Sequence, residues 1–168
     1  MGQKVHPYGF RVGITRPWVS RWYARKKDYG SYLVEDQRIK KFIKSRLKQA
    51  GLSKIEIERT GDETRVFLHT SRPGVVIGKK GAEIDKIREE LQKFSKDGSG
   101  KKVQVNIREV TKPELDAQLV AEAVAEQLLK RASFRRAMKK AVEASMQQGA
   151  LGMKIIVAGS KKSVAFEP

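Results

Sequence analysis

The apolar residues Val75, Val76 and Ile77 run straight into Gly78-Lys79-Lys80-Gly81, and residues with helical apolar spacing begin immediately afterwards. This junction constrains the fold more than any other stretch. A buried run and an amphipathic helix joined by so short a turn must pack as neighbours. Glycine has no Cβ, so Gly78 and Gly81 can take backbone angles other residues avoid and let a ligand approach the main chain. The unpaired amides at the start of the following helix attract anions, and Lys79 and Lys80 add positive charge in the turn itself. A Gly-x-x-Gly tetrapeptide alone is a common turn; its meaning comes from the elements around it.

Those elements are legible. Ile39, Phe42, Ile43 and Leu47 follow helical spacing, with Gly51 where a C-terminal cap belongs. Residues Lys54 to Thr60 alternate with Ile55 and Ile57 on one face, Thr64 to Thr70 alternate with Val66 and Leu68, and Gly61-Asp62-Glu63 between them predicts a hairpin. After the turn, Ile84, Ile87, Leu91 and Phe94 form one helical stripe, Asp97-Gly98-Ser99-Gly100 reads as a loop, and Val103, Val105 and Ile107 mark a third strand. The order is helix, strand, strand, short helix, helix, strand. Helices can cover the apolar face of such strands in a two-layer α+β domain. This is the α-β-β-α-α-β KH arrangement common in bacteria, in which a Gly-x-x-Gly turn clamps a few nucleotides of a single strand.

Charge points to the same class of ligand. The 168 residues carry 36 Lys and Arg against 19 Asp and Glu, a net charge of +17, a surplus suited to a polyanion. No segment approaches the ~20 apolar residues of a membrane span, and the first residues contain no apolar signal core. There is no cysteine, which excludes disulfides and thiolate metal sites and fits a reducing, cytoplasmic setting. Residues 1–34 read as a basic and aromatic arm. Lys4, Arg11, Arg16, Arg21, Arg25, Lys26 and Lys27 are interleaved with Tyr8, Phe10, Trp18, Trp22, Tyr23, Tyr29 and Tyr32. Cations among flat rings suit an extended segment that packs on its own domain and lies along phosphates and exposed bases.

Residues 35–110 form the KH domain on this reading, and a new unit begins at 111. Thr111 is a candidate N-cap, Pro113 fits a first helical turn, and Ala117, Val120, Ala121, Val124, Ala125, Leu128 and Ala132 make a long apolar stripe. Ser133 is positioned to cap a second helix, with Phe134, Met138, Ala141, Val142 and Ser145 on one face. Arg135, Arg136, Lys139 and Lys140 fall on the other, with Lys130 and Arg131 just before it. These cations have no acid among them and are expected to lack the (i, i+4) partners of an ordinary solvated helix, which suits a phosphate-contacting face. Lys154-Ile155-Ile156-Val157 reads as a strand.

The chain resembles the bacterial-type small-subunit ribosomal protein S-three family. The resemblance rests on Met1-Gly2-Gln3-Lys4-Val5-His6-Pro7 with Gly9, Arg11, Gly13, Ile14 and Trp18; on Thr70-Ser71-Arg72-Pro73-Gly74 leading into the Gly78–Gly81 turn; on Lys112-Pro113-Glu114-Leu115-Asp116-Ala117; and on Phe134-Arg135-Arg136-Ala137-Met138-Lys139. It implies a structural constituent of the ribosomal head, bound to small-subunit ribosomal RNA beside proteins of the S-ten, S-fourteen and S-two families, in a bacterial or organellar ribosome. It also implies that the basic helix lines the path by which mRNA enters, with Arg135, Arg136 and Lys139 matching positions associated with unwinding structured mRNA. Family members continue with three further strands, whereas this sequence passes Gly159 and closes at Pro168. The segment 111–168 is therefore expected to be a truncated α+β unit of two helices and one strand that relies on ribosomal neighbours for burial.

Enzymatic chemistry is not expected. His6 and His69 are the only histidines and lie far apart, and Glu122 and Glu126 are spaced for salt bridges on a helix. No Gly-x-x-x-x-Gly-Lys-Ser/Thr loop is present, and no cofactor or metal is implied. The alternative in another class is a free KH-domain regulator acting on diffusing transcripts.

Overall fold

The computed structural model describes residues 2–61, 63–78, 81–94 and 102–159. Lys79, Lys80, Asp62 of the hairpin turn, the Asp97-Gly98-Ser99-Gly100 loop and the tail from residue 160 lie outside the described residues. The chain divides into two units, Met1–Arg108 and Glu109–Pro168.

In the first unit, α1 (Pro7–Arg11) and the short strand β1 (Ser20–Arg21) precede α2 (Lys26–Arg46), β2 (Leu52–Thr60), β3 (Glu63–Thr70), α3 (Pro73–Ile77), α4 (Ala82–Phe94) and β4 (Lys102–Glu109). From α2 onward this is the helix–strand–strand–helix–helix–strand order that the periodicity predicts. β2 and β3 pair antiparallel with Ile57 opposite Val66 and Ile55 opposite Leu68, so one face of the hairpin is continuously apolar. Val103 and Val105 of β4 extend that face, and Ile39 and Ile43 of α2, Val76 of α3, and Ile87 and Leu91 of α4 join them in the core. Fully burying each such side chain stabilises the fold by about 1.5–3 kcal/mol. Phe42 and Phe94 meet at the rim with ring centroids 5.4 Å apart. The sheet order is β1-β2-β3-β4. The α2 helix ends at Arg46 with Leu47, not Gly51, as its C-cap; the left-handed Gly51 lies further on, where its carbonyl accepts from the Ser71 amide.

The arm is part of this unit. α2 begins at Lys26, so residues 26–34 are helical, and β1 adds a parallel edge strand beside β2 with Ser20 opposite Ile57. A buried ionic cluster explains why. Arg59 donates from Nε and Nη2 to Asp36 Oδ1 at 3.1 and 2.6 Å and from Nη1 to Glu35 Oε2 at 3.1 Å. The Trp22 indole donates to Asp36 Oδ2 at 2.8 Å. The Arg59 and Asp36 side chains are only 3% and 2% exposed, so each charge needs the other. The Arg59 guanidinium also sits 4.9 Å from the centre of the Tyr32 ring, and Trp22 packs on Tyr29 and Tyr32. Apolar spacing alone gives no hint that an arginine from β2 would fasten the arm.

On the opposite face of the sheet, Glu56 is buried against Lys54, Arg21 and His69. Burial raises its carboxyl pKa, but the Lys54 hydrogen bond and charge, together with His69, outweigh burial and leave it below 4.5.

In the second unit a single 3-10 turn, Pro113–Leu115, leads to α5 (Ala117–Leu129) and then α6 (Phe134–Gln147). The N-cap of α5 is Asp116, not Thr111: its carboxylate accepts from the Gln118 and Leu119 amides at 3.0 and 3.1 Å, because Pro113 is used in the 3-10 turn. Leu119, Val120 and Val124 of α5 and Ala137 and Ser145 of α6 are buried. Ser145 Oγ has the Glu114 carbonyl at 2.8 Å and the Ala141 carbonyl at 3.0 Å as acceptors, tying α6 to the turn. Residues 154–157 do not form the expected strand; they pair with nothing among the described residues, and a strand requires a hydrogen-bonded partner. Leu129, Met146 and Ile156 are exposed.

Removing one partner from the ionic cluster leaves an uncompensated buried charge. Arg59→Ala is therefore expected to lower unfolding free energy by about 3–5 kcal/mol, and Trp22→Phe by about 1–3 kcal/mol, both read from urea denaturation. The lowered pKa of Glu56 sets a second expectation. Its contribution is complete above the ordinary carboxylate pKa and is lost as pH falls through the lowered folded value. Glu56→Gln should accordingly flatten the decline in urea midpoint as pH falls below the ordinary carboxylate range.

Candidate nucleic-acid interface

Three groups of cations were expected from the sequence, and the backbone presents each differently. At the glycine turn, α3 ends in Gly78 at φ +71, and Gly81 at φ +81 precedes α4. The two glycines are required for different reasons. A Cβ on Gly78 would lie 2.9 Å from both Cβ and Cγ of Glu83, whereas one on Gly81 would meet open space. Gly78 is therefore fixed by close approach as well as by backbone angle. Lys79 and Lys80 lie outside the described residues. Val75 and Ile77 are half exposed beside the turn while Val76 is buried, because a helix this short directs only its middle residue into the core. Arg46, at the end of α2, reaches Glu83 at 3.8 Å and partly neutralises an acid beside the turn.

The arm cations separate by role. Arg21 is engaged: its guanidinium meets Glu58 at 3.0 Å and Glu56 at 3.7 Å, which fastens β1 to β2. Arg11 is exposed and donates to the Pro7 carbonyl at 2.8 Å. Lys4 and Arg16 are exposed. Arg25 is the N-cap residue of α2 but makes no side-chain cap bond, and Lys26 and Lys27 occupy the first turn with Asp28 as the one acid there. Cations at the positive end of a helix dipole are unfavourable for the helix itself. They concentrate positive potential where an anion can approach.

The basic face of the second unit is exposed but not wholly unpartnered. Lys130 pairs with Glu126 at 2.6 Å and Lys139 with Glu143 at 3.8 Å, both (i, i+4) contacts. The acids lie just outside the basic run, which is why counting within it missed them. Arg131, Arg135, Arg136 and Lys140 are exposed and have no acidic partner among the described residues. Phe134 does not join the buried stripe. It is exposed, with the Arg135 guanidinium 5.7 Å from its ring centre, and Ala137 takes the buried position. Arg131 stands at φ +59, the sole non-glycine among the described residues with positive φ. Its amide and that of Ala132 accept no rearrangement cheaply, since they bond to the Leu128 and Gln127 carbonyls that close α5. Glycine is the ordinary residue at such a helix end, so a cation stands here against backbone preference.

Comparisons with known proteins agree with this architecture. The family model for the KH domain matches residues 38–115, and the model for the ribosomal protein S3 C-terminal domain matches residues 124–164. The chain is 55% identical over 159 residues to the small ribosomal subunit protein uS3 of Shewanella loihica, covering 95% of this chain and 68% of that protein. It is 54% identical to the protein of the same name from Koribacter versatilis and 52% identical to that of Pelagibacter ubique, covering 69% of each.

The strained cation gives a test in which stability and binding move in opposite directions. Arg131→Gly should raise unfolding free energy by about 1 kcal/mol, because glycine accepts the left-handed backbone. It should also make the slope of log affinity against log salt for single-stranded RNA shallower by about 0.7, the loss of one phosphate contact. Thermal melts and salt-dependent binding titrations measure the two effects separately.

Proposed function

Because the chain belongs to the small ribosomal subunit protein uS3 family, a structural rather than catalytic family, we propose that it binds small-subunit ribosomal RNA in the ribosomal head and contributes α6 to the path by which mRNA enters. On this reading it works in the ribosome, in the cytoplasm, beside neighbours of the S-ten, S-fourteen and S-two families. The arm and the KH turn engage ribosomal RNA, through Lys4, Arg11, Arg16, Arg25, Lys26 and Lys27 in the first case and Gly78 to Gly81 in the second.

The observation that carries the reading is the basic face of α6. Arg135, Arg136 and Lys140 project from a helix held by buried Ala137 and Ser145 and are free of acidic partners among the described residues. Lys139 lies on the same face, loosely held by Glu143 at 3.8 Å with its side chain 80% exposed. Such an exposed pair contributes little and exchanges readily for a phosphate. The role is electrostatic. These side chains hold the phosphates of an incoming strand at fixed positions, so a base-paired strand must part to follow them. Movement of the mRNA by the ribosome supplies the work, and the chain itself needs no nucleotide hydrolysis.

Ribosomes carrying Arg135→Ala, Arg136→Ala and Lys139→Ala together should translate mRNA with a stable hairpin at the entrance more slowly than wild type, while unstructured mRNA is translated at nearly the wild-type rate. Toe-printing and single-turnover elongation rates on the two templates measure this. Equal impairment on both would contradict an entrance role.

A further inference from the structure

Five of the seven aromatic residues of the arm fall into two sets. Trp22, Tyr29 and Tyr32 pack on one another, and Trp22 donates to the buried Asp36. Trp18 and Tyr23 do the opposite: they are 66% and 92% exposed, and neither ring packs on another among the described residues. Their exposure is not that of a loose tail. The Tyr8 hydroxyl donates to the Pro17 carbonyl at 2.9 Å, the Ile57 amide donates to the Val19 carbonyl at 3.1 Å, and Ser20 and Arg21 are held in β1. The Arg21 guanidinium also donates to the Trp18 carbonyl at 3.4 Å. The backbone is thus fixed immediately beside both rings, and the rings are held out into solvent.

We infer that Trp18 and Tyr23 are stacking platforms for unpaired nucleobases. This rests on the proposal that the chain binds RNA, and it names the chemistry that the arm adds to phosphate contact. A ring carried on a fixed backbone loses less freedom on binding than one on a loose tail, and it gains its apolar contact when a flat partner covers it. The neighbouring charges select the partner. No acidic residue precedes Asp28 in the sequence, while Arg16, Arg25, Lys26 and Lys27 lie close by along the chain. A protein partner would have to bring both aromatic faces and acids; a single RNA strand carries bases and phosphates on one backbone. Trp18 and Tyr23 are five positions apart, so their Cα atoms lie at most about 18 Å from each other even when the chain is fully extended, and one strand can reach both.

The chain has two tryptophans, one turned inward and one outward, which makes a direct test possible in the full chain. With 5-fluorotryptophan incorporated, the two fluorine resonances are assigned by Trp18→Phe. Oligoadenylate is then compared with an abasic oligonucleotide of equal length at low salt, with binding of each followed by anisotropy. The Trp18 resonance should move with oligoadenylate and not with the abasic strand, while that of Trp22 stays in place. Trp18→Leu combined with Tyr23→Leu should weaken oligoadenylate binding about 5- to 100-fold and leave abasic binding unchanged. If both strands bind but Trp18 is unmoved, or moves equally with each, or the double variant weakens both alike, the stacking role is wrong although RNA binding stands. If neither strand binds, the RNA-binding proposal fails and the stacking role with it.

Discussion

The contact between Arg59, Asp36 and Trp22 is the constraint on which the first unit depends. It joins residues from β2, α2 and the arm in one buried cluster, with Trp22 and Arg59 donating to opposite oxygens of the same carboxylate. A buried carboxylate is costly unless its lone pairs are met, and a buried guanidinium cannot shed its charge. The arm therefore supplies something the domain lacks without it, namely the second donor to Asp36. That turns a segment rich in cations and rings from an appendage into the edge of a sheet. Everything proposed for its outward residues follows from this fixing, because a surface held in place binds without first having to be ordered.

Acidic residues do much of the fastening in a chain whose net charge is +17. Glu35 and Asp36 hold Arg59, and Glu56 and Glu58 hold Arg21. In the second unit the pairs Lys130–Glu126 and Lys139–Glu143 stand at the margins of the basic run, whereas Arg135, Arg136 and Lys140 between them stay open. Positive charge is thus divided between cations paired within the fold and cations that stay exposed without an acidic partner among the described residues. The sum of charges alone does not reveal this division.

The α+β architecture and the KH order were legible because alternation in Ile55, Ile57, Val66 and Leu68 and helical spacing in Ile39, Ile43, Ile87 and Leu91 are local signals of burial. The glycine turn was legible for the same reason, although the close approach of Gly78 to Glu83 belongs to tertiary structure. What the sequence hid were interactions between distant residues. Arg21 reads as a ligand-binding cation, and its pairing with Glu56 and Glu58 was not visible from the sequence. The boundary at residue 34 fell inside α2 because Lys26 to Val34 has little apolar spacing, its anchors being the rings of Tyr29 and Tyr32. Asp116 replaced Thr111 as a cap because a 3-10 turn at Pro113 displaces the start of α5. Residues 154–157 have the composition of a strand, but pairing is decided by a partner and not by composition.

The central claim is that these fixed cationic surfaces make the chain an assembled part of the small ribosomal subunit. The most direct measurement is the number of copies of the chain per small-subunit particle after purification through a moderate-salt wash, by quantitative mass spectrometry against the particle's other proteins. The account predicts one copy per particle, retained through the wash. Substoichiometric recovery, with most of the chain released as a free RNA-binding protein, would contradict it.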